Sequence, residues 1–234
     1  MTTKTLFDED LTLEEAEELI KNGEDVNQRN HIGRTPLFYV QNVEVAELFI
    51  KLGANVNQKD DDGCSPIHII NDVNVLDILV QKGVDVSSKD MYGRTPLFHI
   101  EYEPKAVWLL EHGADIHAKD NDGLTPLHKA YFISTIKLLI KNGANINAKD
   151  GHGFFVLDYQ YDIDNIKYLI DHGAIGRRRT YQECREYFSV EQQKAFDAFI
   201  SITNNDDEFY QICLAYQEDI KNNVKLEIKD MDII

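Results

Sequence analysis

Two series of glycines run through this chain on one period. Gly33, Gly63, Gly93, Gly123 and Gly153 fall 30 residues apart, and so do Gly53, Gly83, Gly113, Gly143 and Gly173. Pro36, Pro66, Pro96 and Pro126 keep the same step. Three series locked to one spacing mean a repeated unit, and a repeat of this length is one supersecondary element. Such a unit cannot bury its apolar face alone, so its copies must stack, each on its neighbours, into a quasi-one-dimensional body.

The residue types inside the unit say what it is made of. Proline in a first helical turn loses no hydrogen bond, and its fixed φ suits a helix start. Thr35, Ser65, Thr95 and Thr125 precede those prolines, where a hydroxyl is expected to cap the orphan amides. Val45, Leu48, Phe49 and Leu52 recur at i, i+3, i+4 and i+7, one face of a second helix; Ile136, Leu139 and Ile140 repeat it. Gly53 and its equivalents close that helix, where a left-handed residue is usual. Gly33 and its equivalents stand in a tight turn. Trp108 occupies a position that is apolar in every copy and reads as packing between units.

The copy from Asp120 to Asp150 is the most complete, and its Thr125-Pro126-Leu127-His128-Lys129-Ala130 carries the TPLHxA signature in full. The chain thus resembles the ankyrin-repeat family over roughly residues 11–176. The resemblance implies an all-α solenoid of helix–turn–helix repeats with β-turn or hairpin fingertips. An ankyrin repeat has about 33 residues, so each copy here is about three short. Counting back from each glycine-alanine stop places the deletion between the two helices, after Val40, Ile70, Ile100 and Ala130. The first helix of each copy should be clipped to a turn or two. The resemblance further implies that a protein partner sits in the groove formed by fingertips and first helices. Carried over by position, that face holds Asp61, Asp62, Met91, Tyr92, Arg94, Tyr102, Asp122, Tyr131, Phe132 and His152. Aromatic residues, Met and Arg are favoured at interfaces, and Met91, Tyr92, Arg94, Tyr102, Tyr131 and Phe132 cluster in two adjacent copies. Tyr131 and Phe132 have a second reading, as filler for the space left by the deletion.

The remaining segments suggest caps. Residues 1–30 read as an N-terminal cap or half repeat, its helix opened by Thr12 and rich in glutamate on its outer face, after ten polar residues that are frayed or form a short cap helix through Leu6-Phe7. Five 30-residue repeats span 31–180, the fifth without the TPL signature. Residues 181–222 suggest a helical C-terminal cap, opened by the capping box Ser189-Val190-Glu191-Gln192, and 223–234 a tail. Arg177, Arg178 and Arg179 are too few for a basic patch and are expected to pair with nearby acids.

Charge and motif content narrow the function. The chain carries a formal net charge of −17, concentrated at its ends: residues 1–30 hold three Lys/Arg against nine Asp/Glu, and 181–234 five against twelve. This balance speaks against nucleic acid, which needs a basic footprint, and is compatible with a basic protein partner; for the ends alone, solubility of the caps is the preferred reading. No apolar run suits a membrane span, no signal peptide opens the chain, and the three scattered cysteines suit a reducing compartment. A cytoplasmic protein is expected, or one delivered to a host cell by a route without a classical signal. No nucleophile elbow, phosphate loop or dinucleotide fingerprint occurs, so neither an enzyme nor a cofactor is expected. His68, His128, His112 and His172 read as structural, and His99 and His117 show no ligand partners at metal-site spacing, so no metal is expected. What remains is a non-catalytic binding module: an inhibitor or immunity-type protein, a secreted bacterial or viral effector with its activity in 181–234, or a self-associating scaffold. Nothing in the residues sets the oligomeric state.

Overall fold

The computed structural model describes residues 4–177 and scattered positions between 180 and 200. Within them one motif recurs. A long nine-residue helix alternates with a single short helical turn: α1 Leu13–Lys21, the 3-10 turn Pro36–Tyr39, α2 Val43–Lys51, α3 Pro66–Ile69, α4 Val73–Gln81, the 3-10 turn Pro96–Phe98, α5 Glu103–Glu111, α6 Pro126–Lys129, α7 Ile133–Lys141, the 3-10 turn Val156–Tyr159 and α8 Ile163–Asp171. The long helices stack in one row and the short turns in a second, each touching its counterpart in the next repeat. The first helices are clipped, as the three-residue deletion predicts: each is three or four residues long and ends at the expected gap.

The core runs the length of the stack. Val45 and Phe49 from α2, Val75 and Leu79 from α4, Leu109 from α5 and Ile136 and Leu139 from α7 are all buried in it. Leu52, placed on that face by its spacing, caps α2 and is 47% exposed, because the helix ends one residue before it. Trp108 is buried between neighbouring long helices, and its Nε1–H donates to Asp77 Oδ1 at 2.7 Å. At the N-terminus Leu6 enters the core rather than fraying, and Lys4 pairs with Glu15 at 2.9 Å. Thr12 caps α1 as expected, and Glu15 completes a capping box with it.

The threonines before the prolines do not do what their type suggests. Thr35 and Thr95 make no capping bond, and their hydroxyls are buried without a partner. In two repeats an imidazole performs the task instead. His68 Nδ1 accepts the Ser65 amide at 3.1 Å, and His128 Nδ1 accepts the Thr125 amide at 3.0 Å. In the fifth repeat the Asp158 carboxylate accepts the Phe155 amide at 2.8 Å.

The fingertips are tight turns rather than strands; among the described residues the only bridge is Lys149 with Phe155. Each turn is built on one acid or amide, buried in the four aspartates and half-buried in Asn30. Asp60 Oδ1 accepts the amides of Asp62 and Cys64 at 3.1 and 2.8 Å, and Asn30, Asp90, Asp120 and Asp150 do the same in their own turns. Adjacent fingertips are then tied backbone to backbone: Met91 N–H donates to Asp62 O at 3.0 Å and Gly151 N–H to Asp122 O at 2.7 Å. Gly63 and Gly123 stand at these close approaches, Gly63 beside the Met91 tie. The φ of Gly63 is +76°, and a Cβ there would lie 2.7 Å from the Met91 nitrogen. The suggested C-terminal cap and tail fall almost wholly outside the described residues, as do Cys184, Cys213, Arg178 and Arg179.

Candidate functional site: an aromatic and acidic groove

Clipping the first helices has a chemical consequence. Each short turn ends with carbonyls that a longer helix would have bonded internally. Polar side chains of the next repeat reach back to them. Lys105 Nζ donates to His68 O at 2.8 Å, Gln160 Nε2 to Ala130 O at 3.4 Å and Asn165 Nδ2 to Tyr131 O at 2.7 Å. Lys105 is fully buried, and desolvation pushes its amine down from 10.5 to about 7.

The links between short turn and long helix line the groove. At the last position of that link stand Asn42, Asp72, Tyr102, Phe132 and Asp162. Asn42, Asp72 and Asp162 cap the helices they precede; Asp72 Oδ1, for example, accepts the amides of Asn74 and Val75 at 2.9 and 3.1 Å. Tyr102 and Phe132 make no such bond. Two adjacent repeats thus give up a cap worth about 1 kcal/mol and present aromatic rings instead. Tyr131, next to Phe132, is 70% exposed, and the two rings meet edge to face at 5.6 Å. At 70% and 47% exposure neither ring is packed away, and the carbonyls freed by the clipped turns are met by Lys105, Gln160 and Asn165.

Two cavities open beneath these rings. One, of about 640 Å³, is bounded by Tyr39, Tyr102 and the carboxylates of Glu9, Asp72 and Glu101, with no lysine or arginine in its lining. The second, of about 610 Å³, adjoins it through Ile69, Asn71 and Glu101 and reaches Tyr131 and Phe132. A third hollow at the N-terminal end is lined by Glu9, Asp10, Glu14 and Glu44, again without a cation.

The other residues expected on this face divide in two. Met91 and Tyr92 project from their fingertip, both about half exposed. Asp62, Asp122 and His152 are exposed in neighbouring turns. Asp61 is exposed but paired with Arg29 at 3.0 Å. Arg94 is committed internally: its Nε lies 3.3 Å from Asp120 Oδ2, and its guanidinium sits 4.9 Å over the Tyr92 ring. Tyr161, on the same link in the fifth repeat and 87% exposed, was not among the expected residues. Its signal was available, since it stands at the position of Tyr131. Of the histidines, His112 and His172 place Nδ1 2.8 Å from the Trp108 and Tyr168 carbonyls at helix C-termini. Among the described residues one group of three metal-binding side chains comes together, Cys64, Asp90 and His99. No helix among those residues is long and apolar enough to cross a membrane.

No curated protein matches the chain. A family model described as Ankyrin repeats (3 copies) matches it over residues 10–90, 40–120 and 70–150. The match spans the rows of short turns and long helices, the TPLH turns and the linked fingertips just described. The chain belongs to the ankyrin-repeat family, whose repeats serve in general as protein-interaction modules.

Proposed function

We propose that the chain is a non-catalytic binding module whose groove takes a basic segment of a protein partner, in a one-to-one inhibitory complex. The observation that carries this reading is the exchange of two helix caps for exposed aromatic rings: Tyr102 borders the cavity that holds Glu9, Asp72 and Glu101, and Phe132 borders the adjoining one, where Glu101 stands with Arg34 and Lys129. Rings on a rigid backbone give contact area at low entropic cost, and buried aromatic anchors dominate interface energetics. Glu9, Asp72 and Glu101 supply a field that favours Lys or Arg and speeds encounter with a cationic partner. The contact residues are Tyr102, Tyr131 and Phe132 in the groove, with Met91, Tyr92, Asp61, Asp62, Asp122 and His152 along the fingertips. Arg94 contributes by holding the Tyr92 ring. The protein acts in the cytoplasm, in the manner of an immunity protein that plugs its target.

The test is a quantitative pull-down from the cells that make the protein, wild type against Tyr102→Ala/Tyr131→Ala/Phe132→Ala, with folding of both checked by circular dichroism. The triple variant should lose its partner by about 100-fold or more. A partner retained by the folded variant would sink the groove reading and move the activity to residues 181–234, as in an effector.

A further inference from the structure

Cys64 and Asp90 lie in the second repeat, residues 61–90, and His99 in the third. The Cys64 sulfur, an Asp90 carboxylate oxygen and a His99 ring nitrogen all lie within 4.8 Å of one another. Cys64 and Asp90 are buried, and His99 is partly open to the 610 Å³ groove cavity. We propose that these three side chains form a binding site for a divalent transition-metal ion, zinc(II) by the character of the donors, that clasps the second repeat to the third.

Part of the geometry has a structural explanation, and the remainder points to the metal. His99 Nε2–H donates to Asp90 Oδ2 at 2.9 Å. In the fifth repeat the Tyr159 hydroxyl donates the equivalent bond to Asp150, and at the first fingertip the Asn30 amide donates to the Tyr39 hydroxyl at 2.9 Å. A tyrosine is therefore sufficient for the fold. What sets this place apart is that two departures coincide. Imidazole replaces phenol at position 99, and the facing position in the preceding repeat is a thiol; before Tyr159 that position is Leu124. Thiolate, imidazole and carboxylate are the donors zinc takes, tetrahedrally, at about 2.0–2.3 Å.

The surroundings admit a cation. The carboxylates of Asp60, Asp62 and Asp90 act on the Cys64 sulfur, and negative charge there favours a cation. The nearby cations are all engaged elsewhere: Arg34 with Asp60 at 2.9 Å, Arg94 with Asp120 at 3.3 Å and Lys105 with the His68 carbonyl at 2.8 Å. A tetrahedral ion needs its donors about 3.4 Å apart, so side-chain rotation of about an ångström completes the set while the Asp90–His99 bond opens. Water fills the fourth position from the groove. Binding releases the thiol proton to solvent, and the imidazole presents an unprotonated nitrogen, its proton moving to the other ring atom.

The test titrates cobalt(II) into the reduced, chelator-treated full chain. Wild type should take up one equivalent and develop thiolate-to-cobalt absorption with the visible bands of a tetrahedral ion, and zinc should displace it. His99→Tyr places there the residue that two other repeats carry, so the fold and the bond to Asp90 survive; Cys64→Ser removes the sulfur. Both should stay folded and bind cobalt at least about tenfold more weakly, without the thiolate band in Cys64→Ser. Absence of the band in folded wild type overturns the proposal. So does a band that persists in Cys64→Ser, which would place the metal on another cysteine, or undiminished binding in His99→Tyr.

Discussion

A residue that breaks its local rule in this chain does so at a measurable cost. Tyr102 and Phe132 stand where Asn42, Asp72 and Asp162 cap their helices. Restoring the cap with Tyr102→Asn or Phe132→Asp should raise stability by about 1 kcal/mol each, read from urea midpoints, while weakening the partner complex. A variant that gains stability and keeps full binding would show that the rings have no role in recognition. Lys105 breaks a different rule, a lysine where Val45 and Val75 stand in the preceding repeats. Its amine protonates at about 7 in the folded chain, against 10.5 for the free side chain. Between these values the unfolded chain holds more protons, so the stability contributed at this site rises with pH across that window, and the penalty is fully present below pH 7. Wild type should therefore gain on Lys105→Met by at most about 1.4 kcal/mol per pH unit from neutral to alkaline pH. Parallel stability–pH curves for the two would contradict the burial of a charged amine.

At the scale of the element, the fingertip is the most constrained piece. Gly53 and Gly63 both hold positive φ, but a Cβ on Gly53 meets open space while one on Gly63 meets the backbone of the next fingertip. Alanine at Gly53 should cost about 1–2 kcal/mol, and alanine at Gly63 clearly more; equal midpoints for the two variants would contradict the backbone tie between Asp62 and Met91. This contrast also shows what could be read in advance. The glycine and proline periods establish the repeat, its helix stops and the clipped first helix, because each follows from local φ and chain length. The exposed rings at Tyr102, Tyr131 and Phe132 were legible from position. The buried aspartates that organise each fingertip were not, because a carboxylate in a run such as Asp60-Asp61-Asp62 looks solvated until the turn closes around it. Lys105 bonding a carbonyl 37 residues away, and Cys64 meeting His99 across two repeats, depend on stacking that no local window contains.

At the scale of the whole molecule, the described repeats form one stack with the short turns on one side and the long helices on the other, and a cluster of acids, Glu9, Asp10, Glu14 and Glu44, stands at its N-terminal end. A complex steered by such charge should weaken as ionic strength rises, since exposed charges are screened within about 8–10 Å; an affinity indifferent to salt would remove the argument for a basic partner. The most direct measurement of the central claim is photo-crosslinking from defined positions. A photoreactive phenylalanine analogue replaces Tyr102, Tyr131 or, as control, Leu52, which lies at the far end of α2 about 15 Å from its groove-side cap. The account predicts one adduct, to a basic protein, from positions 102 and 131 and none from 52. Adducts from position 52 alone, or equally from all three, would contradict recognition through the groove.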